Sequence, residues 1–232
     1  MNSTTPDSNM TENEEYQILL MQYAAGCLDQ AQSMIITAHL GMSDKGHQIL
    51  KDCACIGGTL LEKKCEPVSM SAKSLENIMS QIDCCPELEC DSEEKCGAAL
   101  PEGHYLPECV QKNIKAKNPA QTLKWKTFYP GISFIGLPLE CTQSKAHLVK
   151  IKPGHTTPSH RHSGLTITLL LNGGIYDNGA QYGIGDLIIH DVQSAPYNPK
   201  SCTTNGCISL TVHASPIKLT GIASILNPLI RF

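Results

Sequence analysis

Arginine is nearly absent from this chain: Arg161 and Arg231 are the only two. With a formal net charge of −4, there is no basic face of the kind that tracks a phosphate backbone, so no direct nucleic-acid partner is expected. Long apolar runs are missing too. The most apolar stretch, residues 165–171, has the length of a strand and is broken by threonines. A membrane-spanning helix needs about 20 apolar residues, so no membrane partner is expected either. The first fifteen residues, MNSTTPDSNMTENEE, hold no Lys or Arg and no apolar centre. A secretory leader needs both, and the chain is therefore expected in the cytoplasm. Aromatics make up 5%, with Trp125 the single tryptophan. Charged residues are 17% and hydrophobic residues 41%, which is enough apolar material for a core and too little charge for wholesale disorder. The 232 residues accommodate one or two domains.

Cysteine, by contrast, is abundant: 12 residues, of which Cys53, Cys55, Cys65, Cys84, Cys85, Cys90, Cys96 and Cys109 crowd one stretch. In a reducing compartment such a density points to metal or redox chemistry before a disulfide scaffold. The run from Cys84 to Cys96 lacks the paired C-x2-C spacing of zinc ribbons. Disulfides or a reversible redox clip, a metal site, and no special role all stay open for it.

Four segments follow from the patterning. Residues 1–11 read as a loose tail, 12–66 as a helical unit, 67–122 as a cysteine-rich linker or insert, and 123–232 as a β domain. Leu19, Leu20, Tyr23, Ala24 and Cys27 recur on one helical stripe. A second helix is expected from an Asp29 N-cap to Leu40, and a third from a Ser43 cap towards Thr59, its end weakened by Gly57 and Gly58. Such a small bundle buries little surface and often needs a metal or a partner to hold it. Cys53 and Cys55, two apart on a helix, do not face each other and read as buried thiols. A short helix is expected over 73–82. The acidic cluster from Asp83 to Glu94 and the basic run from Lys112 to Lys126 read as solvated surface. From Trp125 onward, short apolar runs at 132–137, 146–151, 165–171, 186–190 and 207–212 alternate with Gly, Pro, Asn and Ser turns. That pattern predicts a barrel or jelly roll.

Within the β domain, His160 and His162 are two apart, and Thr166 follows at an even spacing. In extended backbone the three share a face, where two imidazoles can grip one metal ion. This His-x-His, with Gly164 after it and the Asn172-Gly173 turn beyond, resembles the first motif of the cupin family. Gly185-Asp186 and the stretch from Ser194 through Pro196 and Tyr197 to Pro199 resemble the second. The resemblance implies a double-stranded β-helix and a metal site of two His, a Glu and a third His. Thr166 stands at the Glu position and Tyr197 at the third His position, so two of the four ligands are replaced. A phenol ionises near pH 10 and is a poor zinc donor. His155, His190 or His213 could complete a different site. The expected cofactor is one divalent ion (zinc, iron, manganese or nickel) held by His160 and His162, or none.

The whole chain also resembles zinc-dependent anti-sigma factors of the ChrR type, which join a helical domain to a C-terminal cupin domain. The residues that carry the likeness are the Leu19–Gly26 segment LLMQYAAG, Ala38-His39-Leu40, Gly57-Gly58, Trp125 with Pro130-Gly131, and Pro216-Ile217-Lys218-Leu219. The fold class expected is α+β, a small N-terminal helical bundle followed by an all-β cupin barrel. In that family the helical domain binds zinc through an early His and a His-x3-Cys-x2-Cys motif. Here His39 remains, while Ser43, Gly46 and Glu14 stand at the other three positions, so the zinc site is eroded. The resemblance implies a protein that sequesters an ECF-type sigma factor through its helical domain, with the cupin domain receiving an oxidative or small-ligand signal. The other readings are a cupin metalloenzyme of dioxygenase or isomerase type, and a degenerate cupin that binds a ligand in the barrel or forms a homodimer. No nucleophile–base pair and no phosphate-cradling loop stand out, and catalysis is not the expectation.

Overall fold

A computed structural model describes residues 8–71, 73–84, 106–117, 124–139, 143–177, 179–221 and 224. Five helices come first: α1 Ser8–Ala24, α2 Gln30–Leu40, α3 His47–Lys64, α4 Ser74–Cys84 and α5 Glu108–Lys117. The strands follow, β1 Lys126–Tyr129, β2 Ile132–Gly136, β3 Lys145–Ile151, β4 His160–Arg161, β5 Thr166–Gly173 and β6 Ile175–Asp177. The last five are β7 Ala180–Tyr182, β8 Leu187–His190, β9 Lys200–Ser201, β10 Cys207–His213 and β11 Lys218–Leu219. The fold class is the one the sequence implies, helices first and then an antiparallel cupin-like barrel.

Helix α2 begins where its sequence says it must. Asp29 accepts from the Gln32 amide at 2.9 Å, and the Asp29 amide donates to Gln32 Oε1 at 3.2 Å. Two orphan donors of the first turn are thus satisfied reciprocally. The second Asp29 oxygen accepts from the Ser144 amide at 3.0 Å, so the cap also ties the helix to the barrel. Helix α3 departs from expectation. It starts after Gly46, not Ser43, and passes straight through Gly57 and Gly58 to Lys64. Gly46 has φ 88°, and a Cβ there would lie 2.5 Å from Tyr16 Oη and 2.8 Å from Leu20 Cδ1. Only glycine fits that close, left-handed approach. Residues 1–7 of the expected tail lie outside the described residues, while helix α1 already begins at Ser8.

The segment expected to be a linker supplies two helices. Helix α4 falls close to the expected 73–82. Helix α5 was unforeseen: it packs on α2 with Val110 fully buried and Leu106 nearly so. The expectation of buried thiols fails. Cys55 is exposed and Cys53 only half-buried, because α3 has no buried residue at all. Cys27, Cys53, Cys55, Cys65, Cys109, Cys202 and Cys207 are free thiols. Cys85, Cys90 and Cys96 lie outside the described residues.

The six-stranded sheet runs β1-β2-β3-β10-β5-β8, faced by the three strands β7-β6-β9 and the pair β11-β4. Its central strands β3, β10 and β5 are buried on both faces. Ile208, Leu210 and Val212 of β10, Ile167 and Leu169 of β5, and Ala146 and Leu148 of β3 join one core with Leu20, Ile35 and Ile36 of the helices. The alternate residues of the same strands point into the barrel. Helix α2 lies on β5 and β10, and being wedged between sheet and helices it is buried on nearly all sides. The helical part therefore shares its core with the barrel and does not depend on its own small interior.

Candidate functional site

The barrel encloses a cavity of about 120 Å3. Its apolar wall includes Phe128, Ile132, Val149, Ile151, Leu170 and Ile175. Histidines line it too: His147 from β3, His160 from β4, His162 just after β4, and His213 from the end of β10. Strand pairing brings more together, since Thr166 lies opposite both His213 and His190. The rings of His160 and His162 are 5.1 Å apart edge to face. His162 stacks on His190 at 4.8 Å and His147 on His213 at 4.9 Å. Tyr197 packs 5.4 Å from His160 and 4.3 Å from His190. The four residues singled out in the sequence, His160, His162, Thr166 and Tyr197, all line this one hollow.

Burial sets the charge state here. It pushes His162 down to about 3, helped by His160, His190 and His213 nearby. His147 is likewise pushed to about 3, by burial first and then by His213 and Lys145. His190 and His213 are each lowered to about 4, chiefly by burial. The cluster of four cavity histidines and the stacked His190 is neutral at pH 7, because cations so close in apolar surroundings would repel each other and lose their hydration. Burial also raises Tyr197 well above its ordinary value, so its phenol stays protonated.

These donors suit a resident metal ion poorly. His160 Nδ1 donates to the Pro158 carbonyl at 2.9 Å, which fixes a lone pair on Nε2. His162 binds Thr166 Oγ1 through Nδ1 at 3.0 Å. Those two imidazoles can lend a nitrogen each. Thr166 is neutral and Tyr197 keeps its proton, so the pair lacks the carboxylate and third imidazole that a cupin site needs. Among the described residues no three His, Cys, Asp or Glu side chains converge to hold an ion.

His39 lies elsewhere, at the junction of helices and barrel. It is 1% exposed. Its Nδ1 donates to the Gly185 carbonyl at 2.9 Å, since a carbonyl can only accept. Its Nε2 then accepts from the Tyr16 hydroxyl at 2.8 Å. Both ring nitrogens are used, and neither is left for zinc. Gly46 has no side-chain donor, Ser43 offers only a neutral hydroxyl that accepts from the Lys45 amide, and the space beside Gly46 holds the Tyr16 hydroxyl. Burial lowers the His39 pKa, which keeps it the neutral relay this chain of bonds requires. Lys45 adds an exposed ion pair to Asp186 at 3.1 Å, next to Gly185.

A second feature is the surface of α3 and α4. Ile56, Leu60 and Leu61 of α3 are each more than half exposed. Leu75, Ile78, Met79 and Ile82 of α4 recur at i, i+3, i+4 and i+7, which puts them on one face, and they are 47–69% exposed. Sequence reasoning missed this stripe, although its spacing was readable. It also missed His147 and Tyr16. His147 was readable from alternation along β3; nothing near Tyr16 in the sequence points to His39, 23 residues on.

A helical part docked on a double-stranded β-helix defines a cupin-domain protein. Residues 116–216 match the family model of the ChrR Cupin-like domain. Over 219 residues, 92% of this chain and 95% of the relative, it is 28% identical to the anti-sigma-E factor ChrR of Cereibacter sphaeroides. It is also similar to a chain in the crystal structure of Rhodobacter sphaeroides SigE in complex with the anti-sigma ChrR, with a TM-score of 0.65 and 26% identity. That match covers 85% of this chain and 96% of that one. The chain is thus similar to ChrR along most of its length and carries a ChrR Cupin-like domain at residues 116–216.

Proposed function

We propose that this protein is an anti-sigma factor: its helical part captures an ECF-type sigma factor, and its barrel receives the signal that releases it. The observation that carries this reading is the exposed apolar stripe on α4, together with the exposed Ile56 and Leu60 of α3. A large exposed apolar surface marks an interaction site, and an amphipathic helix of this kind seats its apolar face in a partner's groove. The full-length likeness to ChrR supplies the class of partner. A sigma partner in turn implies a cytoplasmic protein, consistent with the lack of any helix, among the described residues, long and apolar enough to cross a membrane.

Release requires that the signal bias two arrangements of helices and barrel. Besides the shared apolar core, the polar contacts between them include the Tyr16–His39–Gly185 chain, Asp29 to Ser144, and Lys45 to Asp186. Dioxygenase or isomerase chemistry would need a firmly held metal with open positions, which a histidine pair does not supply. The pair gives weak, exchangeable binding of a divalent ion such as zinc.

Co-expression of the full chain with an ECF-type sigma factor from the same genome tests the reading. A stable complex that withholds the sigma factor from core RNA polymerase is expected. Failure of every such sigma factor of that genome to co-purify would sink it.

A further inference from the structure

The barrel cavity is lined by polar atoms that the described residues leave unsatisfied. His162 Nε2, His213 Nε2 and Thr157 Oγ1 are buried without a hydrogen-bond partner among the described residues, and all three residues line the cavity. His162 and His213 are 7% and 6% exposed. A buried polar atom left unpaired costs about 1–3 kcal/mol, so three on one hollow mark a place where something else supplies the bonds. Most of the remaining lining is aliphatic and aromatic.

We propose that this cavity binds a small neutral organic molecule, an apolar ring or branched chain bearing one hydroxyl group, of about the bulk of phenol. Three observations set that chemistry. No Asp, Glu, Lys or Arg lines the cavity, and an ion without a counter-charge is not buried in such a place. The volume of about 120 Å3 suits one six-membered ring, since a dry cavity of about 150 Å3 takes benzene. His162 Nδ1 faces the Thr166 hydroxyl, so Nε2 either donates or accepts according to which of the two gives its proton. A hydroxyl satisfies either tautomer, because it both donates and accepts. A ketone or an ether could serve only one of them. Water alone would meet the polar atoms, but it would leave the apolar lining wetted, and displacing it from that lining favours a larger guest. This inference deepens the sensing half of the proposed function and rests on it for the guest's role as a signal, not for its binding.

The test is a 19F NMR titration of the EDTA-treated full chain at pH 7 with 4-fluorophenol and with fluorobenzene. Binding of 4-fluorophenol is expected, about tenfold tighter than fluorobenzene, as one hydrogen bond provides. Val149→Phe fills the cavity and should abolish both. His162→Leu should erase the preference while fluorobenzene still binds; if that variant does not fold by circular dichroism, His213→Leu takes its place. No binding of either probe, equal affinity for both, or unchanged binding in a folded Val149→Phe protein would overturn the proposal. So would micromolar zinc that displaces 4-fluorophenol and is itself lost with His162→Leu, because the nitrogen would then be a metal donor. No sigma factor enters the titration, so its failure leaves sigma capture standing, and failed capture leaves the titration readable.

Discussion

Strand β10 and helix α4 have a similar share of aliphatic side chains and opposite fates. Six of the seven residues of Cys207–His213 are buried, while Leu75, Ile78, Met79 and Ile82 stand in solvent. The strand lies between α2 on one face and the cavity on the other, so its own chain supplies both partners. The helix has no such neighbour among the described residues. Burial is thus not a property of an apolar residue but of the surface it finds, and an apolar stripe without one points to a second molecule. Substitutions in the two regions should accordingly report on different quantities, stability in the barrel and binding in the arm.

Acid should separate the regions most sharply. The barrel histidines have native pKa values below their ordinary 6.5, so the unfolded state binds more protons below that pH. The stability they confer is complete above pH 6.5 and is lost as pH falls towards 4 and then 3. The melting temperature should fall steadily from pH 7 to pH 4; a flat profile over pH 6.5–5 would mean that the cluster is hydrated. Next in size, Leu210→Ala in the fully buried centre of β10 should lower unfolding stability by about 2–5 kcal/mol in a urea titration.

In the arm, Ile78→Asp with Ile82→Asp should weaken sigma capture about a hundredfold, as expected when interface anchors are lost, and leave the melting temperature unchanged. A large loss of stability would show that the stripe is covered by the chain itself. The smallest effect belongs to the junction. Tyr16→Phe removes the hydroxyl from His39 Nε2 and should cost about 1 kcal/mol of stability. Added zinc should not restore it, since the positions beside His39 hold Ser43 and Gly46; restoration by zinc would revive the family's metal site.

Five long strands were legible as apolar runs, because β2, β3, β5, β8 and β10 are covered on both faces or nearly so, and a doubly covered strand needs no polar alternation. The short strands β6, β7, β9 and β11 were not, since two or three residues carry no period. The α2 cap was readable from Asp29 and Gln32, three apart. The start of α3 was misread because Ser43 is a good cap by type, whereas Gly46 is placed by contact with Tyr16 and Leu20. Helix α5 was hidden in a polar, cysteine-rich stretch, where Leu106 and Val110 reach the core and Cys109 packs against it. At the site, His160 and His162 carried a motif, but His147, His190 and His213 are far apart in sequence and meet only through strand register.

By itself the sequence determined the order of the parts: helices first, then a barrel whose strands turn at Gly, Pro and Asn, and a pair of histidines where a cupin keeps its donors. Local periodicity and turn chemistry act over a few residues, and that much is written in the chain. Only the tertiary structure decided that His39 bridges the Tyr16 hydroxyl and the Gly185 carbonyl through its two ring nitrogens. It also decided that four histidines share one neutral hollow with His190 stacked behind them, and that the stripe on α4 is left uncovered by the described residues. Each depends on which distant surfaces come within a few ångströms, and that distance is set by packing of the whole molecule.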